Sequence, residues 1–246
     1  MGKGVGMTKL AGAINGSPHT PLDAKSLKEL VADELRRAIV GGQHAPGTQL
    51  KQDLVAAQFG VSRMPIREAF LQLEAEGLIE FRRHRVAIVK ALSAEDIREI
   101  FEIRMMLESR AVELGVPNLT EKHILDISAC HKVMCSFKQW GPEWPVHNKR
   151  FHATIYSAAG RTHMVQLISS VQIKLDRYLS LYLNNSRTLK KSNSEHAGIL
   201  QACREGNAKR AALLTRKHIE ETMESLLERF TKAPLLVGDQ AADQRA

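Results

Sequence analysis

Four side chains in the second half of the chain have the types and spacing to hold a metal ion. Asn148 and His152 are four residues apart, so a helix puts them on one face. His196 and His218 lie on two further predicted helices, ten residues before and twelve residues after Gly206. If Gly206 ends the first helix and Asn207 caps the second, an antiparallel hairpin rising about 1.5 Å per residue brings both imidazoles to similar heights. Three imidazoles and one amide oxygen suit a borderline divalent transition metal. The bland alternative is real, because a chain with ten histidines offers accidental spacings.

A second kind of chemistry belongs to arginines. Arg63 and Arg67 are one turn apart at the start of a predicted helix and off its apolar stripe, where a recognition helix meets base edges and phosphates. Arg82, Arg83, His84 and Arg85 crowd a predicted hairpin just downstream. Arg104 stands one turn before Glu108. That pair reads either as an i,i+4 ion pair or as an arginine whose bidentate fork clamps a carboxylate ligand beside the metal.

The elements that must position these groups follow from periodicity. Leu27, Leu30, Val31, Leu35 and Ile39 form a helical stripe ending at Gly41-Gly42. Leu50, Leu54, Val55 and Phe59 predict a second helix, closed by Gly60. Ser62 then stands at an N-cap, Pro65 in the first turn, and Ile66, Ala69, Phe70 and Leu73 on the inner face of a third helix stopped by Gly77. Phe81, Val86, Ile88 and Val89 predict two short strands around the basic hairpin. From Ser93 onward long helical patterns dominate. Ser93–Asp96 opens one that fades near Gly115-Val116-Pro117, and others are expected over about 120–138, 143–159, 162–184, 189–205 and 208–232. The predicted fold is mainly α: an N-terminal winged helix–turn–helix over 25–91, with a small β-hairpin wing, and a C-terminal all-α bundle over 92–234. Tails at 1–24 and 235–246 flank them.

Composition agrees with a polyanion-binding globular chain. The 246 residues are 43% hydrophobic and 25% charged, with a formal net charge of +8. No apolar run approaches the ~18 residues a membrane span needs, and the N-terminus lacks a signal peptide's apolar core. Cys130, Cys135 and Cys203 are odd in number and lack CxxC spacing, so they read as reduced thiols and predict a cytoplasmic protein.

The segment PGTQL and LVAAQFGVSRMPIREAFLQLEAEGLI, spanning Pro46 to Ile79, resembles the winged helix–turn–helix of GntR-type transcriptional regulators. The resemblance implies phosphate and base contacts from Ser62, Arg63 and Arg67, with the wing tip from Arg82 to Arg85 reaching the minor groove. Here His84, Arg85 and Val86 occupy the region where the family wing usually carries glycine, which leaves the wing's backbone geometry open. NKRFHATIYSAAG, EHAGILQACREGNAKRAALLTRKH and the opening LSAEDIREIFEIRMMLESRAVELG are similar to the FCD ligand-binding domain of the FadR subfamily. That likeness implies Asn148, His152, His196 and His218 as ligands, zinc first, with nickel, manganese or iron open. Asn148 stands where many members have aspartate, and a neutral amide oxygen implies weaker metal affinity.

Together these readings predict a homodimeric transcriptional regulator that binds double-stranded DNA at a two-fold operator. By the family's habit it is a repressor, answering a small organic acid that Arg104 clamps. Two alternatives stay open: a metal-dependent enzyme, with Glu195 beside His196 as a base, and a sensor for which the ion itself is the signal.

Overall fold

The computed structural model describes residues 26–82, 86–139, 141, 143–183 and 185–232. Three helices open the chain: α1 (Leu27–Val40), α2 (Gln52–Phe59) and α3 (Arg63–Ala75). They bury Val31, Leu35, Ile39, Ile66, Phe70 and Leu73 in one core. The α2–α3 turn works because Gly60 adopts φ 65°, a left-handed conformation that costs glycine little. A three-stranded antiparallel sheet completes this unit, in the order β1 (Gln49–Leu50), β3 (Val86–Val89), β2 (Ile79–Arg82). Its register pairs Leu50 with Ala87 and Arg82 with Val86. The wing tip residues Arg83, His84 and Arg85, and with them the missing-glycine question, lie outside the described residues.

Two details differ from the periodicity reading. Leu50 belongs to a strand rather than a helix, and Leu54 points outward at 66% exposure while Ala56 is buried in its place. Leu27 and Leu30 are likewise half exposed, so the inner stripe of α1 starts at Val31.

Among the described residues the rest is helical: α4 (Ala94–Gly115), a short 3-10 turn (Val116–Asn118), α5 (Glu121–Ser136), α6 (Glu143–Ser157), α7 (Thr162–Tyr182), α8 (Ser186–Arg204) and α9 (Ala208–Lys232). Helix α4 starts at a reciprocal cap, in which Asp96 N–H donates to Ser93 Oγ at 3.0 Å and Ser93 N–H to Asp96 Oδ2 at 2.8 Å. Aspartate therefore does the work the sequence pattern assigns to glutamate. Helix α8 begins three residues earlier than expected, because Asn185 Oδ1 accepts the Thr188 N–H at 3.0 Å. Asn207 caps α9 as anticipated, its Oδ1 accepting from Arg210 N–H at 3.0 Å.

One bundle core gathers Ile127, Met134, Phe151, Ile155 and Ile199. A second packs Ile97 and Phe101 of α4 against Leu175 and Tyr178 of α7 and Ile219 and Leu226 of α9. Helix α4 meets α6 almost backbone to backbone at Gly115, where a Cβ would lie 2.3 Å from the Ile155 carbonyl oxygen. Helix α7 also anchors the start of the helical unit: the Leu92 N–H donates to Tyr178 Oη at 2.7 Å. No helix among the described residues is long and apolar enough to cross a membrane.

Candidate metal centre and nucleic-acid interface

Helices α6, α8 and α9 converge their histidines. His152, His196 and His218 are all buried, and one ligand nitrogen from each lies within 4.8 Å of the others. The rings of His196 and His218 are 4.6 Å apart between centroids, as the hairpin register around Gly206 requires.

Each ring is wired from outside. His196 Nδ1–H donates to the Ser192 carbonyl at 2.6 Å, and His218 Nδ1–H to Glu195 Oε2 at 2.6 Å. His152 Nδ1–H donates to Tyr156 Oη at 3.2 Å, since the tyrosine proton goes to Glu108 Oε2 at 2.6 Å. These partners assign the tautomers: every Nδ1 holds a proton and every Nε2 is a bare lone pair. His152 Nε2 and His196 Nε2 then face each other at 2.9 Å with no proton between them. A cation beside both resolves that repulsion. That spacing is of the order that two nitrogens at about 2.1 Å from one ion would adopt. Asn148 Oδ1, one turn before His152, is buried and has no hydrogen-bond partner among the described residues. The donor set fits a divalent ion.

Burial, with repulsion from His218 added, holds the His152 and His196 imidazoles well below the ordinary 6.5, so both are neutral at pH 7 and free to ligate. A pH dependence follows. Below about 6.5 the unfolded chain takes up two protons that the folded chain refuses, so stability decreases as the pH is lowered. The slope is at most about 1.4 kcal/mol per pH unit for each ring. It persists down to the depressed folded values, and above 6.5 the contribution is flat. The chelated protein should show a lower urea midpoint at pH 5.5 than at pH 7.5. Equal midpoints would mean that these rings are accessible to protons in the folded state.

Arg104 forms the expected pair with Glu108, Nε to Oε1 at 2.7 Å, but deep inside rather than on the surface. Burial opposes its charge, and Glu108 outweighs that, so the guanidinium stays ionised. It lies over the Phe101 ring at 5.0 Å, and its Nη1 is buried without a partner among the described residues. Glu195, open in the sequence as a base, instead orients His218. The hydrogen bond from Tyr156 to Glu108 has no signal in the sequence, because it joins residues 48 apart along the chain.

In the N-terminal unit, Arg63 and Arg67 project from the start of α3, and Ile66 and Phe70 bury its other side. They flank a groove that also includes Lys51, Gln52, Asp53 and Val86. Ser62 occupies the N-cap with extended backbone, yet its hydroxyl makes no capping bond and remains exposed. Arg63 pairs with Asp53, both largely exposed, and Arg82 Nε with Glu80 Oε1 at 2.7 Å.

A family model for bacterial regulatory proteins, gntR family, matches residues 27–89, and one for the FCD domain matches residues 99–221. The chain is 31% identical over 168 residues to the gluconate operon transcriptional repressor of Bacillus licheniformis, covering 67% of this chain and 68% of that one. It is 26% identical over 228 residues to the uncharacterized HTH-type transcriptional regulator BphR of Paraburkholderia xenovorans, covering 88% and 91%. Among solved structures, E. coli McbR/YncC shares the fold, with a TM-score of 0.71 at 21% identity over 84% of this chain and 100% of that one. A winged helix–turn–helix joined to an FCD bundle defines a DNA-binding transcriptional regulator, and nothing in these relatives supports an enzyme. The chain belongs to the GntR family of bacterial regulatory proteins, in its FCD-bearing branch.

Proposed function

We propose that this protein is a repressor that binds a two-fold operator as a homodimer and releases it on binding a small organic acid beside a divalent metal. Asn148, His152, His196 and His218 hold the metal, zinc first, and Arg104 receives the acid's carboxylate. Ser62, Arg63, Arg67 and the wing from Arg82 through Arg83, His84 and Arg85 meet the DNA. The units at 25–91 and 92–234 carry these two tasks. One observation supports the ligand half above the rest: bare histidine nitrogens converge in the same buried network as an arginine whose Nη1 has no partner among the described residues. When bound, the metal offers Lewis acidity toward a carboxylate or hydroxyl oxygen. The chain's own part is to neutralise the acid's charge at Arg104 and to keep the rings in their ligating tautomers.

The relative that represses a gluconate operon makes gluconate the first acid to try. A genomic fragment selected by the zinc-loaded protein should be retained without gluconate and released with it, and a chelator should blunt the release. Release by metal removal alone, with no acid present, would favour the metal-sensor alternative. Failure of zinc-loaded protein to retain any fragment over random duplex overturns the reading.

Arg104 allows a sharper test. Alanine there leaves Glu108 buried and unpaired, a defect of about 3–5 kcal/mol that confounds any binding assay. Arg104→Lys keeps the charge but loses the fork. It should weaken gluconate-driven release about tenfold or more while operator retention without acid stays the same. Unchanged release would remove Arg104 from the acid site.

A further inference from the structure

Two side chains between Arg104 and the histidines are not themselves ligands of the metal or the acid in the function proposed above. Glu108 is buried at 1% exposure, with Oε1 accepting from Arg104 Nε at 2.7 Å and Oε2 accepting from Tyr156 Oη at 2.6 Å. Tyr156 is buried as well, and its Oη lies 3.2 Å from His152 Nδ1. A phenol has one proton to give. Because Glu108 takes it, the hydroxyl can only accept from His152, and that forces the His152 proton onto Nδ1. The ring stacks on Tyr156 with centroids 5.8 Å apart, so the pair is held as a unit. The close approach of α4 and α6 at Gly115 keeps Glu108 within reach of Tyr156.

The three histidines are not equivalent in this respect. His196 is oriented by a carbonyl of its own helix and His218 by Glu195. His152 alone of the three is connected, through Tyr156 and Glu108, to the arginine.

We propose that Tyr156 and Glu108 are positioning residues, a buried bridge that selects the metal-binding tautomer of His152 and links that choice to Arg104. The inference rests on the metal reading of the histidine cluster. An anion that engages the free edge of Arg104 competes with Glu108 for the guanidinium charge. Glu108 then becomes a stronger acceptor for Tyr156, Tyr156 a stronger acceptor for His152, and His152 a better donor to the ion. Metal and acid should therefore raise each other's affinity by the same factor.

The test uses full-length protein labelled with 15N at histidine, with the His152 ring signals assigned by comparison with His152→Asn. In the chelated wild type, His152 is expected to hold its proton on Nδ1. Tyr156→Phe should shift that proton to Nε2, leave the His196 and His218 tautomers unchanged, and weaken zinc(II) binding about 10- to 100-fold. A wild-type His152 protonated on Nε2 overturns the bridge, even if the phenylalanine variant fails to fold. So does a folded Tyr156→Phe protein with wild-type tautomer and zinc affinity. If the wild type takes up no zinc, the metal reading fails by itself, and the tautomer of chelated His152 still decides the bridge.

Discussion

His196→Ala should cost the protein its metal. His196 is fully buried, its Nε2 faces His152 at 2.9 Å, and its ring stands 4.6 Å from that of His218. Structural four-ligand zinc sites bind with about 10–16 kcal/mol, so one ligand in four is worth about 3 kcal/mol, or roughly two to three orders of magnitude in affinity. Neighbouring groups are poorly placed to substitute. Glu195 is engaged by His218, and the Ser192 hydroxyl lies on the Nδ1 side of the ring at 3.3 Å. Two measurements check this: the zinc-to-protein ratio after gel filtration, and the difference in thermal midpoint with and without chelator. The wild type should show about one zinc per chain and a fall in midpoint on chelation. The variant should show neither, although its chelated form also melts lower than chelated wild type because of the cavity. A variant that still retains stoichiometric zinc would place the ion elsewhere.

What could be read from the sequence divides by the range of the forces involved. The convergence of His196 and His218 was legible because it depends on a turn made of two adjacent residues, Gly206 in a left-handed conformation at φ 66° and Asn207 as a cap. The inner face of α3 was legible for the same reason, since Ile66, Ala69, Phe70 and Leu73 repeat at helical spacing and are all fully buried. Leu50 misled the periodicity because its conformation is set by pairing with Ala87, a partner far along the chain. Leu54 was counted inward with it and proves to face solvent. Arg104 and Glu108 were visible as a pair, but not their burial, which reverses the energetics from a weak surface pair to one that cannot be broken cheaply. The second partner of Glu108 is 48 residues away, and Glu195 reaches a histidine 23 residues on. No local pattern encodes such contacts. They arise only once α4, α6, α8 and α9 have packed.

Arg67→Ala is expected to weaken specific operator binding by about 1–3 kcal/mol per half-site if the side chain reads a guanine edge, about 5- to 150-fold for each. We assign Arg67 that role rather than a phosphate contact. Arg67 lies one turn into α3, exposed, while Ile66 and Phe70 anchor the helix from behind, so its guanidinium projects from a rigid base. Arg63 is different. It stands at the first residue of the helix and already pairs with Asp53 across the groove, 74% and 63% exposed. An exposed pair of this kind is worth about 0–1 kcal/mol, so exchanging Asp53 for a phosphate costs little. Arg63→Ala should therefore lower affinity for all sequences alike and reduce the salt slope by about one per half-site. Titrating both variants against the selected operator and a scrambled duplex at two salt concentrations separates the roles. A loss for Arg67→Ala that is the same on both duplexes would make it a phosphate contact, and base discrimination would then have to come from elsewhere on α3 or from the wing.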